Sequence, residues 1–146
     1  MFTKILVPLD GSDKSIESLE VASTLAEKFD AEIYLLSVFK YYSFMEGSFS
    51  MIKGSSETEN LEDVLREHSK EIVSEGKKEL QDKGITKIRA FVKMGSAAKE
   101  ILKFSKEHKV DLIIIGSKGQ GELSGYLLGG VSHKVTGLAK CPVMVI

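Results

Sequence analysis

Apolar and polar positions follow two patterns along this chain, and they predict strands and helices in turn. Short runs of branched apolar residues predict buried parallel strands, and apolar residues spaced three or four positions apart predict amphipathic helices. Strands are predicted at residues 4–9, 32–39, 87–94, 110–115 and 142–146, and helices at 14–29, 60–83, 97–109 and 131–140. This alternation favours a doubly wound five-stranded parallel sheet of the α/β class.

Polar residues and glycine mark the predicted helix ends. Ser12 and Asp13 precede the first helix, and we expect Asp13 to cap it, whereas Ser96 is expected to cap the third. Gly84 is expected to end the second helix. The second helix has a predicted apolar stripe that consists of Leu61, Val64, Leu65, Ile72 and Leu80. His68 falls on the same stripe, so we expect it to be partly buried.

One predicted connection, residues 40–59, is longer than connections in compact domains usually are. It is also unusually apolar, with Tyr41, Tyr42, Phe44, Met45, Phe49, Met51 and Ile52. Two interpretations remain open. The segment is either a lid or partner surface beside a ligand cleft, or a loop that packs its own side chains onto the domain.

Length and charge limit the class of protein. A chain of 146 residues predicts one domain, residues 1–146. The net charge of −1 and the absence of a basic stretch with interleaved aromatics argue against nucleic acid as a partner. Apolar runs are far shorter than the ~20 residues that span a bilayer, and the sequence MFTKILVPLD is not a signal peptide. We therefore expect no membrane association and a cytoplasmic location. The lone Cys141 is expected to be a small buried residue.

Six glycines fall within residues 116–130, directly after the most apolar strand: Gly116, Gly119, Gly121, Gly125, Gly129 and Gly130. Ligands of open α/β sheets bind at the carboxyl ends of strands. Glycine lets backbone N–H groups approach an anion closely, and the following helix adds the positive end of its dipole. A surface loop that merely turns the chain is the alternative, but the position after a buried strand favours an anion site.

The glycine spacing argues against two common nucleotide motifs. Residues 125–132 come closest to a Walker loop but lack its lysine. A dinucleotide fingerprint would follow the first strand, where residues 10–12 read Asp-Gly-Ser, and residues 119–121 lack the third glycine. A P-loop ATPase and a dinucleotide-dependent oxidoreductase are therefore not expected.

A different spacing is present: Gly116, two residues, Gly119, nine residues, Gly129, and then Gly130. It occurs together with KILVPLDGSDKS, IYLLSV, VKMGSAAKEI, DLIIIGSKGQGELSGYLLGGVSHKV and CPVMVI. In these motifs, over nearly its whole length, the chain resembles the nucleotide-binding, ATP-binding branch of the universal stress protein family.

This resemblance implies a Rossmann-like sheet of the adenine nucleotide alpha hydrolase-like type, with strand order 3-2-1-4-5. It implies a homodimer formed through the C-terminal strand, residues 142–146, whose apolar edge also invites pairing on physical grounds. ATP or another adenine nucleotide is expected between the ends of the first and fourth strands. Mg²⁺ or Mn²⁺ would arrive with the phosphates, and no metal site made by the protein is expected.

The resemblance also implies the residues that contact the nucleotide. Asp10 matches an acidic residue near the ribose and phosphates, although Asp at such a turn can also be only a helix cap. Pro8 and Leu9 precede it along the cleft, and Val38 matches a position whose backbone contacts the adenine edge. The phosphate loop and helix start correspond to Ile115, Gly116, Lys118, Gly119, Gly129, Gly130, Val131 and Ser132.

Gly130 departs from the family pattern, which has Ser or Thr at this position. A missing hydroxyl donor to phosphate would cost about 1.5 to 3 kcal/mol of binding free energy if nothing replaced it. The N–H of Gly130, the Ser132 hydroxyl and the Lys118 charge are candidate replacements. We therefore predict weaker triphosphate binding rather than its absence.

Three functions remain open at this stage. The first is an ATP-binding, dimeric regulatory protein of the stress response, with an unknown protein partner. The second is a nucleotide-free dimeric interaction protein of the same family, and the third is a slow ATPase. No catalytic residue is predicted, because adjacent Ser132 and His133 point in different directions on a helix and Asp10 is the only candidate base.

Overall fold

The computed structural model describes residues 1–40, 55–119 and 128–146. The strands are β1 Lys4–Pro8, β2 Glu32–Phe39, β3 Ile88–Met94, β4 Leu112–Ile115 and β5 Val143–Val145. The helices are α1 Asp13–Phe29, α2 Ser55–Asp82, α3 Ala97–Glu107 and α4 Gly130–Leu138. The apolar segment at residues 41–54, together with Gly121 and Gly125, lies outside the described residues. Residues 55–59, predicted as part of that connection, belong to α2.

Within the described residues, five parallel strands form one sheet in the order β3-β2-β1-β4-β5. This confirms the predicted doubly wound fold and its strand order. Leu6 of β1 pairs with Tyr34 of β2 on one side and with Ile113 of β4 on the other. Strand β1 is therefore central, and its carboxyl end lies beside that of β4.

Apolar residues of alternate strand positions face opposite sides of the sheet, because successive side chains of a strand point in opposite directions. On one face, Ile5 and Leu35 pack in a cluster with α1 and α2 residues such as Leu19 and Leu80. On the other face, Leu6 and Leu36 pack with residues of α3 and α4, which include Ala98, Ile101, Phe104 and Val135. Helices therefore cover both faces, as a doubly wound fold requires.

The helix ends confirm one predicted signal and correct two. Gly84 ends α2 with φ of 87°, and its N–H donates to the Gln81 carbonyl. The prediction that Asp13 caps α1 was wrong: Ser12 has the extended backbone of an N-cap, and its Oγ accepts a hydrogen bond from Ser15 N at 3.3 Å. Ser96 holds the N-cap position of α3, but its side chain makes no capping hydrogen bond.

The buried face of α2 differs from the predicted stripe. His68 is exposed and Val64 is 63% exposed, so both expectations were wrong. Within residues 61–82 of α2, the buried residues are Ser69, Val73, Gly76 and Leu80. A Cβ at Gly76 would lie 2.7 Å from Leu9 Cδ1. The helix approaches the sheet closely at Gly76, so small residues share its packing face with Val73 and Leu80.

Asp111 fixes the amino ends of β1 and β4. Its carboxylate accepts hydrogen bonds from the Thr3 N–H and hydroxyl and from Lys4 N, at 2.7 to 3.1 Å. Partial burial acts to raise the pKa of the Asp111 carboxyl, but these hydrogen bonds outweigh it and lower the pKa. This contact precedes β4, which therefore begins at Leu112 and not at the predicted residue 110.

Candidate functional site

A pocket with a cavity volume of about 170 Å³ opens at the carboxyl ends of the central strands. All twelve predicted site residues are described, and eleven of them line this pocket. They are Pro8, Leu9, Asp10, Val38, Ile115, Gly116, Lys118, Gly119, Gly129, Val131 and Ser132. Gly130 does not belong to the wall. The structure thus brings together, at one place, residues from four separate segments of the chain.

Five further residues of the wall were missed by the sequence analysis: Ser12, Ser15, Leu36, Ala97 and Ile101. Leu36 lies two positions before Val38 and so shares its face of β2, which is a signal the alternation rule could have supplied. Ala97 begins α3, directly after the carboxyl end of β3. The others resemble ordinary capping or core residues, and nothing in their sequence context separates them from those roles.

One part of the pocket wall is apolar. Leu36 and Ile101 are almost completely buried, and the half-buried Val38 and the side chain of Ala97 complete this part. Such a surface suits the flat, largely apolar faces of a nucleobase, because ligand pockets combine an apolar lining with a few placed polar groups.

Another part of the wall is made of glycine segments, one of them in close contact with α1. A Cβ at Gly116 would lie 2.9 Å from Lys14 Cβ and 3.1 Å from Ser15 N. A Cβ at Gly119 would lie 2.5 Å from Oδ2 of Asp10. Gly116 therefore requires glycine for steric reasons, because the added Cβ would meet backbone atoms of α1, whereas at Gly119 it would meet only a carboxylate that can rotate. Without side chains of their own, both residues allow a ligand to approach the backbone closely.

Asp10 stands between β1 and the glycine segment. Its Oδ1 accepts a hydrogen bond from Ser12 N at 2.9 Å, so the carboxylate braces the turn before α1. The N-cap of α1 is Ser12, and the interpretation of Asp10 as only a helix cap therefore does not describe its contacts. Among the described residues of the pocket wall, Asp10 is the sole acidic one.

Three helices begin at this pocket. Ser12 and Ser15 belong to the start of α1, Ala97 is the first residue of α3, and Gly129 is the N-cap of α4. The first N–H groups of a helix have no partner within the helix, and the helix dipole makes this end positive. Gly129 brings no side-chain acceptor to the start of α4. The field of these helix ends favours an anion near the glycine segments.

Ser132 is placed differently from what the sequence suggested. Its side chain is 3% exposed, and its Oγ donates to the Ser117 carbonyl at 2.8 Å, with the Gly129 carbonyl at 3.1 Å. A serine hydroxyl has one proton, so Ser132 does not replace the donor missing at Gly130. Lys118 is half-buried at the pocket wall and keeps its place as a candidate phosphate contact.

The described residues offer little catalytic chemistry. Ser132 is buried and His133 is exposed, so the two side chains point apart. Burial raises the pKa of the half-buried Cys141 thiol, which disfavours the thiolate form that a nucleophile needs. No group of three His, Cys, Asp or Glu side chains in the described ranges is arranged to hold a metal ion. None of the described helices is long and apolar enough to cross a membrane.

Two curated proteins are similar to this chain over its whole length. Universal stress protein MJ0531 of Methanocaldococcus jannaschii is 35% identical, over all of this chain and 82% of its own length. Universal stress protein YxiE of Bacillus subtilis is 34% identical, over all of this chain and 99% of its own length.

Solved structures agree with the fold. The structure of MJ0577, a universal stress protein of M. jannaschii, superposes with a TM-score of 0.83 and 30% identity, over 100% of this chain and 96% of that one. A universal stress protein in complex with cAMP has a TM-score of 0.71 at 21% identity, over 99% and 96% of the two chains. The universal stress protein from Archaeoglobus fulgidus, in complex with dAMP, has a TM-score of 0.69 at 18% identity, over 99% of this chain and 98% of that one.

The family profile extends over the entire chain. The profile of the universal stress protein family matches residues 1–146, the full span that carries the five strands and the pocket. The profile match, the identity to MJ0531 and YxiE, and the sheet order 3-2-1-4-5 agree with one another. This chain belongs to the universal stress protein family.

Proposed function

We propose that the chain binds ATP, or a closely related adenine nucleotide, in this pocket and acts as a dimeric, nucleotide-dependent regulatory protein of the stress response. The observation that carries the proposal is that the wall of this pocket combines two kinds of surface. Apolar residues line one part, and glycine segments and helix starts line the other. A ligand with an apolar base and an anionic chain matches both parts.

The similar structures support the same class of ligand. Two universal stress proteins with this fold are complexes with cAMP and dAMP, which are both adenine nucleotides. In our assignment the base contacts the apolar wall at Leu36, Val38 and Ile101. The ribose lies near Asp10, and the phosphates contact the backbone of Gly116 and Gly119 and lie near the start of α4.

A divalent cation would be held mainly by the nucleotide. Asp10 supplies the one carboxylate among the wall residues that the structure describes. Mg²⁺ usually keeps several waters and binds through one or two carboxylates together with phosphates. The residues present therefore fit Mg²⁺ or Mn²⁺ that arrives with ATP. Bound to the phosphates, the ion would offset their charge next to Asp10.

The direct test is to denature freshly purified protein and to identify any released nucleotide by chromatography and mass spectrometry. We expect an adenine nucleotide at near one per chain, or stoichiometric binding of added ATP. A chain that is empty and fails to bind added ATP would instead favour a nucleotide-free interaction protein. Steady ATP turnover that Asp10→Asn abolishes would support the slow ATPase.

The substitution Gly130→Ser is expected to tighten ATP binding by about 10- to 100-fold, because it supplies the hydroxyl donor that this chain lacks. Nothing lies within 4 Å of a Cβ at Gly130, so the side chain fits without displacing a neighbour. Gly130→Ala is the matched control, since it adds the Cβ without the hydroxyl. Calorimetric titrations that give equal ATP affinities for the two variants would contradict the expectation.

Dimerisation through β5 is part of the proposal. Strand β5 is an edge of the sheet, and Val143, Met144 and Val145 are only partly covered. Its outer backbone groups have no neighbouring strand within the described residues, and apolar side chains surround them. A second copy that pairs edge to edge about a two-fold axis would hydrogen-bond to these backbone groups and cover these side chains.

A further inference from the structure

Ser117 adds a connection between the pocket and the edge strand β5, beyond the direct pairing of Ile115 with Val145. It lies between Gly116 and Lys118, which both line the pocket, but it does not itself belong to the wall. Its N–H donates to the carbonyl of Ile146 at 2.7 Å, directly after β5. Its carbonyl accepts hydrogen bonds from Gly129 N at 2.6 Å and from Ser132 Oγ at 2.8 Å.

The contacts at Ile146 extend the edge strand. Ile146 N donates to the Ile115 carbonyl at 2.9 Å, and the Ile146 carbonyl accepts from Ser117. The residues on either side of Gly116 therefore hold the end of the edge strand through two backbone hydrogen bonds. A shift of the glycine segment would change both bonds at once.

Ser132 holds this connection from the other side. Its buried hydroxyl joins the start of α4 to the Ser117 carbonyl, next to the bond from Gly129 N. Because the single hydroxyl proton is used on the carbonyls of Ser117 and Gly129, the Ser132 hydroxyl does not donate to a ligand in this arrangement.

We propose that Ser132 is a positioning residue which, by holding the Ser117 carbonyl, couples the nucleotide pocket to the edge strand β5, so that a bound nucleotide stabilises that edge. The inference rests on the proposed function. Phosphates that bind the backbone of Gly116 and Gly119 restrict the same segment that holds Ile146. A bound nucleotide therefore orders both the glycine segment and the end of β5. By thermodynamic linkage, a partner strand that pairs with β5 also strengthens nucleotide binding.

The test is hydrogen exchange of the Ser117 and Ile146 amides, followed by NMR with and without saturating ATP. In the unaltered chain we expect ATP to slow both exchange rates about tenfold or more, which is the stabilisation of roughly one hydrogen bond. Ser132→Ala is expected to bind ATP about tenfold more weakly, to bind adenosine with unchanged affinity, and to lose most of the slowing at saturation. Ser132→Thr keeps the hydroxyl and is expected to restore the slowing.

Thr136→Ala is the matched control. Thr136 Oγ1 also donates to a carbonyl of α4, that of His133, but Thr136 is exposed whereas Ser132 is buried. This variant is expected to behave as the unaltered chain does in every measurement. Thermal unfolding of each variant verifies that it is folded.

The outcomes separate this inference from the proposed function. If ATP binds but leaves the exchange of Ile146 unchanged, the coupling is overturned and the nucleotide site stands. If Ser132→Ala weakens ATP and adenosine equally, Ser132 is a general pocket contact and the positioning role is overturned. If the chain binds no nucleotide, both the proposed function and the coupling are overturned.

Discussion

Replacing Gly116 with alanine is expected to destabilise the fold by about 1 to 3 kcal/mol and to weaken ATP binding by at least about tenfold. The added Cβ would lie 2.9 Å from Lys14 Cβ, 3.0 Å from the Lys14 carbonyl carbon and 3.1 Å from Ser15 N. Two of these atoms are backbone atoms in the first turn of α1, which Ser12 caps. No side-chain rotation relieves such a contact, so the glycine segment must move away from α1 and widen the pocket.

Two other glycines provide controls of graded severity. A Cβ at Gly119 meets only the Asp10 carboxylate, which can rotate, so Gly119→Ala should cost less stability than Gly116→Ala while it still disturbs the pocket. Gly137 lies in α4 with nothing within 4 Å of a Cβ, and Gly137→Ala should leave ATP binding unchanged. Chemical denaturation and calorimetric titration measure both effects. Equal behaviour of Gly116→Ala and Gly137→Ala would contradict the steric account.

Replacing Met144 with lysine is expected to convert the proposed dimer into monomers. Met144 lies in the middle of β5, where its partly buried side chain packs at the rim of the apolar cluster under α1 and α2, so a lysine there would place a charge next to the pairing edge. The desolvation of an unpaired charge costs several kcal/mol, so association should weaken by about 100-fold or more. Sedimentation velocity at micromolar concentration measures the change, and circular dichroism verifies folding.

Met94→Lys is the matched control on the opposite edge. Met94 ends β3, is 47% exposed, and lies beside strand residues that are already charged. This variant should remain dimeric. Two variants that are both dimeric, or both monomeric, would mean that β5 is not the surface through which the chain associates.

The strand pattern predicted most of the fold because the central strands are buried on both faces, which requires continuous apolar runs. The helix faces were harder to predict. The packing face of α2 contains Ser69 and Gly76, and hydrophobicity does not mark small residues that allow a helix to approach a sheet closely. The start of α2 was missed for a related reason, since residues 55–59 are polar and carry no apolar period.

The sequence predicted the parts of the pocket wall that are made of glycine, but not the parts that are made of common core and helix residues. Gly116 and Gly119 were identified by their spacing, and close contact with α1 and Asp10 explains why glycine is needed there. Ala97 and Ile101 come from a different helix, and only the packing of α3 on the sheet brings them to the wall. Which carbonyl the Ser132 hydroxyl would contact also depends on the fold, because Ser117 is distant from it in sequence.

The two edges of the sheet have opposite chemical character. Strand β3 exposes Arg89 and Lys93, whereas β5 presents only partly covered apolar residues. Charged side chains on an edge strand discourage further pairing. In two copies joined at β5, the only exposed sheet edges would therefore be the two β3 strands. Assembly would stop at a dimer with a continuous ten-stranded sheet. The asymmetry protects the molecule against open-ended fibre formation while it leaves one edge available for assembly.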